Sequence, residues 1–306
     1  MSYAVGRVCF DTLDEYRQYA HSVVETERKA QRNRRAVFFG VRNEGDQATR
    51  MSADTLVTPL AGELKAEKAN WEVSSIVSDD ATKARLKKLM GGEETPSVLF
   101  TASHGMGFPG EARQLNHQGA LLCQDWPGPL KHRGSIPEEF YFSQDDVAKE
   151  AQLSGLIAFH FACYGAGTPR LDDFAHAQGE RKAIAPHAFV AGLPRRLLSH
   201  SNGGALAVVG HVERAWGYSF MWPNAGAQTD TFKSMLTAVM EGSRVGSAME
   251  YFNDRYADLS TALSSELEDI KFGKTPDDFE LANMWTANND ARSYVIIGDP
   301  AVRLAV

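Results

Sequence analysis

The chain has 306 residues, with 32 Lys and Arg against 39 Asp and Glu, giving a net charge of −7 with His neutral. Hydrophobic residues make up 43% and charged residues 23%, an ordinary globular mixture that excludes collagen-like, low-complexity and wholly disordered chains. The acidic balance argues against a duplex binder that works by phosphate neutralisation, so nucleic acid is not expected as a direct partner.

The first 35 residues form an N-terminal extension, distinct from a main domain over 36–306. A short apolar piece (5–10) leads into a charged helix, about 11–30, and then into the run RKAQRNRR (28–35). Cations there suit a helix end, and the run also reads as an exposed hinge open to proteolysis. Six apolar runs follow: AVFFGV (36–41), WEVSSIV (71–77), SVLFTA (97–102), LIAFHFA (156–162), ALAVVGHV (205–212) and SYVIIG (293–298). They are rich in Val, Ile and Phe with little polar alternation, as in strands buried on both faces. Helices are expected between them. Residues 80–90 place Leu86, Leu89 and Met90 on one face. Residues 230–241 do the same with Phe232, Met235, Leu236, Val239 and Met240, with Asp230 as the N-cap. Val245, Met249, Phe252 and Tyr256 continue the pattern after Gly242. The alternation predicts a three-layer α/β sandwich around a mostly parallel six-stranded sheet.

Cys9, Cys123 and Cys163 form no disulfide framework and no CxxC zinc pair, which points to a reducing compartment, the cytoplasm. The N-terminus has no basic start followed by an apolar run. No stretch approaches ~20 apolar residues, so no membrane is expected as a partner. No GxxxxGK[ST] or GxGxxG pattern occurs, and no metal-ligand spacing is present, so neither cofactor nor metal is expected.

In parallel α/β sheets, ligands gather at the carboxyl ends of strands. Here SVLFTA runs into Ser103-His104-Gly105, and LIAFHFA runs into Cys163-Tyr164-Gly165. If those strands are neighbours, an imidazole faces a thiol. A free thiol has a pKa near ~8.5 and is mostly protonated at neutral pH. A nearby imidazole can take that proton and later return one to a leaving amine. The amides of Gly105 and Cys163 would then form an oxyanion hole. Taken alone, Cys163 reads more simply as a small buried residue. The pair is stronger, because a His upstream of the Cys is also the order used by caspase-like peptidases, where the spacing is about 50 residues.

The motifs TASHGMG, HFACYGAG and YVIIGDPAVRL together resemble the caspase–gingipain class of cysteine peptidases, over roughly residues 36–304. The match is to the gingipain branch and the related caspase-HetF-associated (CHAT) domains. His104-Gly105, Ala162-Cys163 and Gly298-Asp299-Pro300 stand where that branch has its His-Gly, Ala-Cys and Gly-Asp-Pro. Trp216, within GGALAVVGHVERAWGYS (203–219), matches an aromatic that walls the primary specificity pocket. Phe161 replaces the Gln of the caspase Gln-Ala-Cys. The resemblance implies a caspase-like fold and an intracellular cysteine endopeptidase of CHAT type, regulated by a partner or by processing. Such domains often sit beside sensor or effector modules in bacterial defence systems. Its partners would be a protein substrate and a regulatory or effector protein. The class generally works as a dyad, so no third catalytic member is named.

In this class, the loop after the first sheet strand helps build the specificity pocket. Acidic residues outnumber basic ones in the corresponding loops, with Glu44, Asp46, Asp54, Asp172, Asp173 and Glu213 against Arg42, Arg50, Arg170 and Arg214. A pocket carboxylate, Asp46 or Asp54 before Glu213, would select Arg or Lys before the scissile bond, which is the preference expected here, and RKAQRNRR would then be a self-cleavage site. A pocket Arg50 would instead select Asp. The loops 106–118 and 164–186 are expected to be mobile and to order on activation. Of the remaining residues, His160 reads as a core histidine, Cys123 as a buried residue in a hairpin, and Cys9 as structural. His211 lies near a strand end, and Trp285, Asn288 and Asn289 lie in a loop near the rim. The alternative from another class is a catalytically silent domain that binds a partner protein.

Overall fold

The computed structural model describes residues 3–28, 33–92, 94–174, 181–222 and 225–306. Part of the basic run and part of the 164–186 loop therefore lie outside the described residues, and with them the proposed self-cleavage site. All six apolar runs form strands of one sheet: β2 (Arg35–Gly40), β3 (Glu72–Val77), β4 (Val98–Ala102), β5 (Ile157–Phe161), β6 (Ala207–His211) and β7 (Tyr294–Gly298). The sheet has seven strands rather than six, because β1 (Gly6–Arg7) adds in parallel to the edge at β7. Two residues held by backbone bonds leave no alternation to read in the sequence. The spatial order is β1-β7-β6-β5-β4-β2-β3, and every pair is parallel except β6 with β7.

The central strands are buried on both faces, which explains their unbroken apolar character. Ala36, Phe38, Phe100, Phe159 and Val209 face one layer. There they meet the π-helical turn Ser52–Val57, α3 (Thr58–Glu67), α6 (Asp230–Met240) and α7 (Glu250–Lys271). Phe100 stacks on Phe159 at 5.2 Å, and Phe232 meets Phe100 edge-on at 6.0 Å, geometries that add to the area they bury. Val37, Phe39, Leu99, Ala158 and Val208 face the other layer, with α4 (Lys83–Leu89) and α5 (Gly192–Leu198). Helix α4 is capped by Thr82, whose side chain accepts from the Arg85 amide. Helix α6 begins at Asp230, and its cap position is Thr229.

The N-terminal helix α1 (Leu13–Arg28) joins this second layer through Tyr19. The Tyr19 hydroxyl donates to the Leu206 carbonyl at 2.8 Å and accepts from the Asp299 amide at 2.6 Å. Burial pushes its pKa up to about 12, so it stays a donor. Gly298, at φ +120°, lets the chain pass there: a Cβ would lie 2.9 Å from both the Leu206 carbonyl and the Tyr19 hydroxyl. The segment carrying Trp285, Asn288 and Asn289 is not a loop but helix α8 (Asp278–Ala291), capped by Asp277. Its sequence, DFELANMWTANNDA, shows no apolar stripe of helical period, so the pattern did not reveal it.

Candidate active site

Strands β4 and β5 are neighbours, with Ala102 opposite Phe161. Each chain runs two residues further, to His104 and to Cys163. The Cys163 carbonyl comes so close to Gly105 that a Cβ there would lie 1.7 Å from it, so glycine is obligatory. Tyr164 follows Cys163 at φ +57°, a left-handed conformation costing roughly 1–3 kcal/mol in a non-glycine residue. Bonds from the Tyr164 amide to the Glu213 carbonyl (2.8 Å) and from Gly165 to Ala162 (3.1 Å) hold that turn. His104 and Cys163 line the same cavity, of about 200 Å³.

Asp46 occupies a different place from the specificity pocket expected of it. It sits beyond β2, as N-cap of α2 (Gln47–Met51). Its Oδ1 accepts from the Ala48 and Thr49 amides at 3.0 and 3.1 Å. Its Oδ2 lies 2.6 Å from His104 Nε2. Burial opposes ionisation of Asp46, but the His104 bond and charge and the two amides outweigh it, holding the carboxyl below the usual carboxylate range. A third group therefore stands on the imidazole where the sequence suggested a dyad. Its signal was available as an Asp at a helix start, just beyond a sheet strand.

Cys163 is half-buried, with its sulfur 3.8 Å from the Ala215 carbonyl. Burial pushes its thiol pKa up, only partly countered by the Ala215 and Gly105 backbone, so the resting group is a thiol. The cavity continues past Cys163 between α2 and the loop after β6. Ala48, Met51, Phe161, Ala215, Trp216 and Phe220 give it an apolar wall. Trp216 packs on Phe174 with ring centroids 5.7 Å apart.

The other expected pocket carboxylates are engaged elsewhere. Asp54 pairs with Arg42 at 3.1 Å and does not line the cavity. Glu213 is fully buried and accepts from the Asp173 and Arg214 amides, each at 3.1 Å. Burial raises its pKa, against the pull of Arg214.

Asp290, which the sequence reading missed, is fully buried at the end of α8. It accepts from the Trp216 amide at 2.8 Å and from the Ser219 hydroxyl at 2.5 Å. His211 braces the same corner rather than lining the cavity: its Nε2 lies 2.9 Å from the Asp290 carbonyl, and its Nδ1 accepts from the Glu213 amide at 3.2 Å. His160 lies in the core with Nδ1 2.8 Å from Thr101 Oγ1, and burial lowers its pKa to about 4. Cys123 is buried beside the hairpin strands Leu121–Leu122 and Tyr141–Phe142, and Cys9 is exposed. Among the described residues, no cluster of three or more His, Cys, Asp or Glu side chains is placed to hold a metal ion. Among them, too, no helix is long and apolar enough to cross a membrane.

Comparison with curated protein sequences finds no match. Solved structures do match in fold. The complex of the pro- and mature domains of RgpB from Porphyromonas gingivalis superposes with a TM-score of 0.53 at 10% identity, over 99% of this chain and 57% of that one. The structure described as the Arg specific cysteine proteinase gingipain R (RgpB) gives 0.49 at 9% identity, over 98% and 55%. The chain thus spans a little over half the length of these relatives. The profile of peptidase family C25 matches residues 1–305, nearly the whole sequence, and the chain belongs to that family.

Proposed function

We propose that the chain is a cysteine endopeptidase in which Cys163 is the nucleophile, His104 the acid and base, and Asp46 the group that holds the imidazole. The observation that carries this is the 2.6 Å Asp46–His104 contact on the rim of a cavity that Cys163 also lines. An ionised carboxylate only accepts hydrogen bonds, so the shared proton belongs to His104 Nε2 and the lone pair to Nδ1. The thiol proton passes to Nδ1 as sulfur bonds to the peptide carbonyl carbon. The carbonyl oxygen takes the displaced electron pair, stabilised by the Gly105 and Cys163 amides. Collapse breaks the C–N bond, and the imidazolium gives its proton to the leaving amine, which leaves a thioester. Water, deprotonated by His104, then releases the acid and restores the thiol.

A silent binding domain has no use for a buried aspartate aligned on an imidazole beside a cysteine. We place the enzyme in the cytoplasm, as a CHAT-type peptidase controlled by a partner or by processing. Support for that compartment comes from the three free cysteines. The test is turnover of a quenched peptide library by the purified chain and by its Cys163→Ala variant. Cleavage by the parent alone is expected. Equal cleavage by the variant would contradict the assignment.

A further inference from the structure

We infer that the cavity beside Cys163 selects an uncharged apolar side chain, such as Leu, Met or Phe, on the residue before the scissile bond. This rests on the peptidase reading above and names its substrate class. Three observations carry it.

The first is the wall itself. Met51 lies so close to the Gly217 backbone that a Cβ there would be 2.6 Å from its Cε, so the thioether spans the gap between α2 and the loop after β6. Phe161 and Phe220 meet edge-on at 5.4 Å beside it. A dry cavity of about 150 Å³ lined by Leu, Ile and Phe is known to hold benzene, so about 200 Å³ of similar lining has room for a side chain of that size.

The second is the state of the polar groups in the wall. Ser52 Oγ donates to the Thr49 carbonyl at 3.1 Å, Thr49 Oγ1 accepts from the Asn43 amide at 3.2 Å, and Ser103 Oγ donates to the His104 carbonyl at 3.2 Å. Each hydroxyl already has a partner within the protein.

The third is the charge. Among the described residues, no carboxylate lines this cavity, and besides the Cys163 thiol the two charged or ionisable side chains that do are His104 and Arg214. Arg214 pairs with Asp172 and Glu213 and lies over the Phe174 ring at 5.4 Å. A substrate Arg or Lys would enter beside a guanidinium and meet no carboxylate among the described lining residues, the nearby Asp172 and Glu213 being paired with Arg214. A substrate Asp would meet a guanidinium that two carboxylates already hold. Burying either charge unpaired is costly, whereas an apolar side chain only gains from leaving water.

The experiment uses peptides identical except for Leu, Met, Phe, Ala, Arg, Lys or Asp before the bond. Matching peptidyl electrophiles carrying Leu or Arg are read by intact mass at Cys163. The expected result is a kcat/KM for Leu, Met or Phe at least about 100-fold above Arg, Lys and Asp, with the Leu electrophile labelling faster by a similar factor. Met51→Asp should narrow that gap by raising Arg turnover and lowering Leu turnover. Preference for Arg, Lys or Asp, or equal turnover of all seven, overturns the inference and leaves the peptidase reading standing. If no peptide is cleaved and no electrophile labels Cys163, the peptidase reading fails and this inference fails with it.

Discussion

The two sides of the cavity are built on opposite principles. On one side Asp46, His104 and Cys163 are polar groups fixed by directional bonds: two backbone amides and an imidazole on Asp46, and a backbone carbonyl by the sulfur. On the other side Met51, Phe161, Trp216 and Phe220 offer shape and apolar surface. The polar groups behind that wall, Glu213 and Asp290, point away from the cavity to hold the backbone that carries it. In the proposed reaction a carboxylate near the site therefore acts only where it touches the imidazole; Glu213 and Asp290 shape loops instead.

The sharpest way to break that contrast is to alter the polar side alone. Cys163→Ala should abolish turnover while leaving the thermal transition in place, because it removes one small atom from a strand end. His104→Ala should lose nearly as much, since such groups act as a unit. Asp46→Asn comes next. The amide can donate to His104 and favour the wrong tautomer, so kcat should fall by about 10²–10⁴-fold with little change in KM. Because the Asn side chain has no charge, the pH profile of kcat should also shift. Equal loss in kcat and in folding stability would reduce Asp46 to a helix cap.

A smaller effect probes the apolar side. Asp290→Ala frees the Trp216 amide and leaves the Ser219 hydroxyl with Tyr294 alone, which should loosen the wall and raise KM roughly 10-fold for apolar peptides, with kcat nearly unchanged. Asp290→Asn keeps an acceptor for Trp216 and should recover most of the loss. A fall in kcat alone would place Asp290 with the catalytic side instead.

The mildest test concerns the sheet beneath both sides. His160 is buried with its pKa lowered from 6.5 to about 4. A depressed folded pKa means that its contribution is fully present above about pH 6.5 and is lost as pH falls toward 4. The difference corresponds to about 3 kcal/mol. Urea melts across pH 4–7 should therefore show that decline, and His160→Gln should flatten it.

Much of this was legible in the sequence. Strands buried on both faces declare themselves as apolar runs, and the pairing of β4 with β5 turned two sequence motifs, Ser-His-Gly and Ala-Cys-Tyr-Gly, into one site. Legibility failed where the determining contact was between backbones or between distant side chains. Strand β1 is two residues long and is specified by pairing with β7, not by pattern. Counted as loop charges, Asp46, Asp54 and Glu213 all belong to one specificity pocket, with Asp46 or Asp54 the favoured contact. Only the fold shows that the first meets His104, the second Arg42 and the third the backbone and Arg214. Asp290 was invisible because its segment lacks helical periodicity, so its buried end could not be placed beside Trp216.

The central claim is that Cys163 forms a thioester under the control of His104. The most direct measurement is intact-mass analysis of the chain quenched with acid during turnover of a slowly deacylating activated ester. A single acyl adduct should appear, mapped to Cys163 by digestion and released by hydroxylamine, and it should be absent from Cys163→Ala and strongly slowed in His104→Ala. An adduct on Cys9 or Cys123, or equal acylation of Cys163 with His104 removed, would contradict the account.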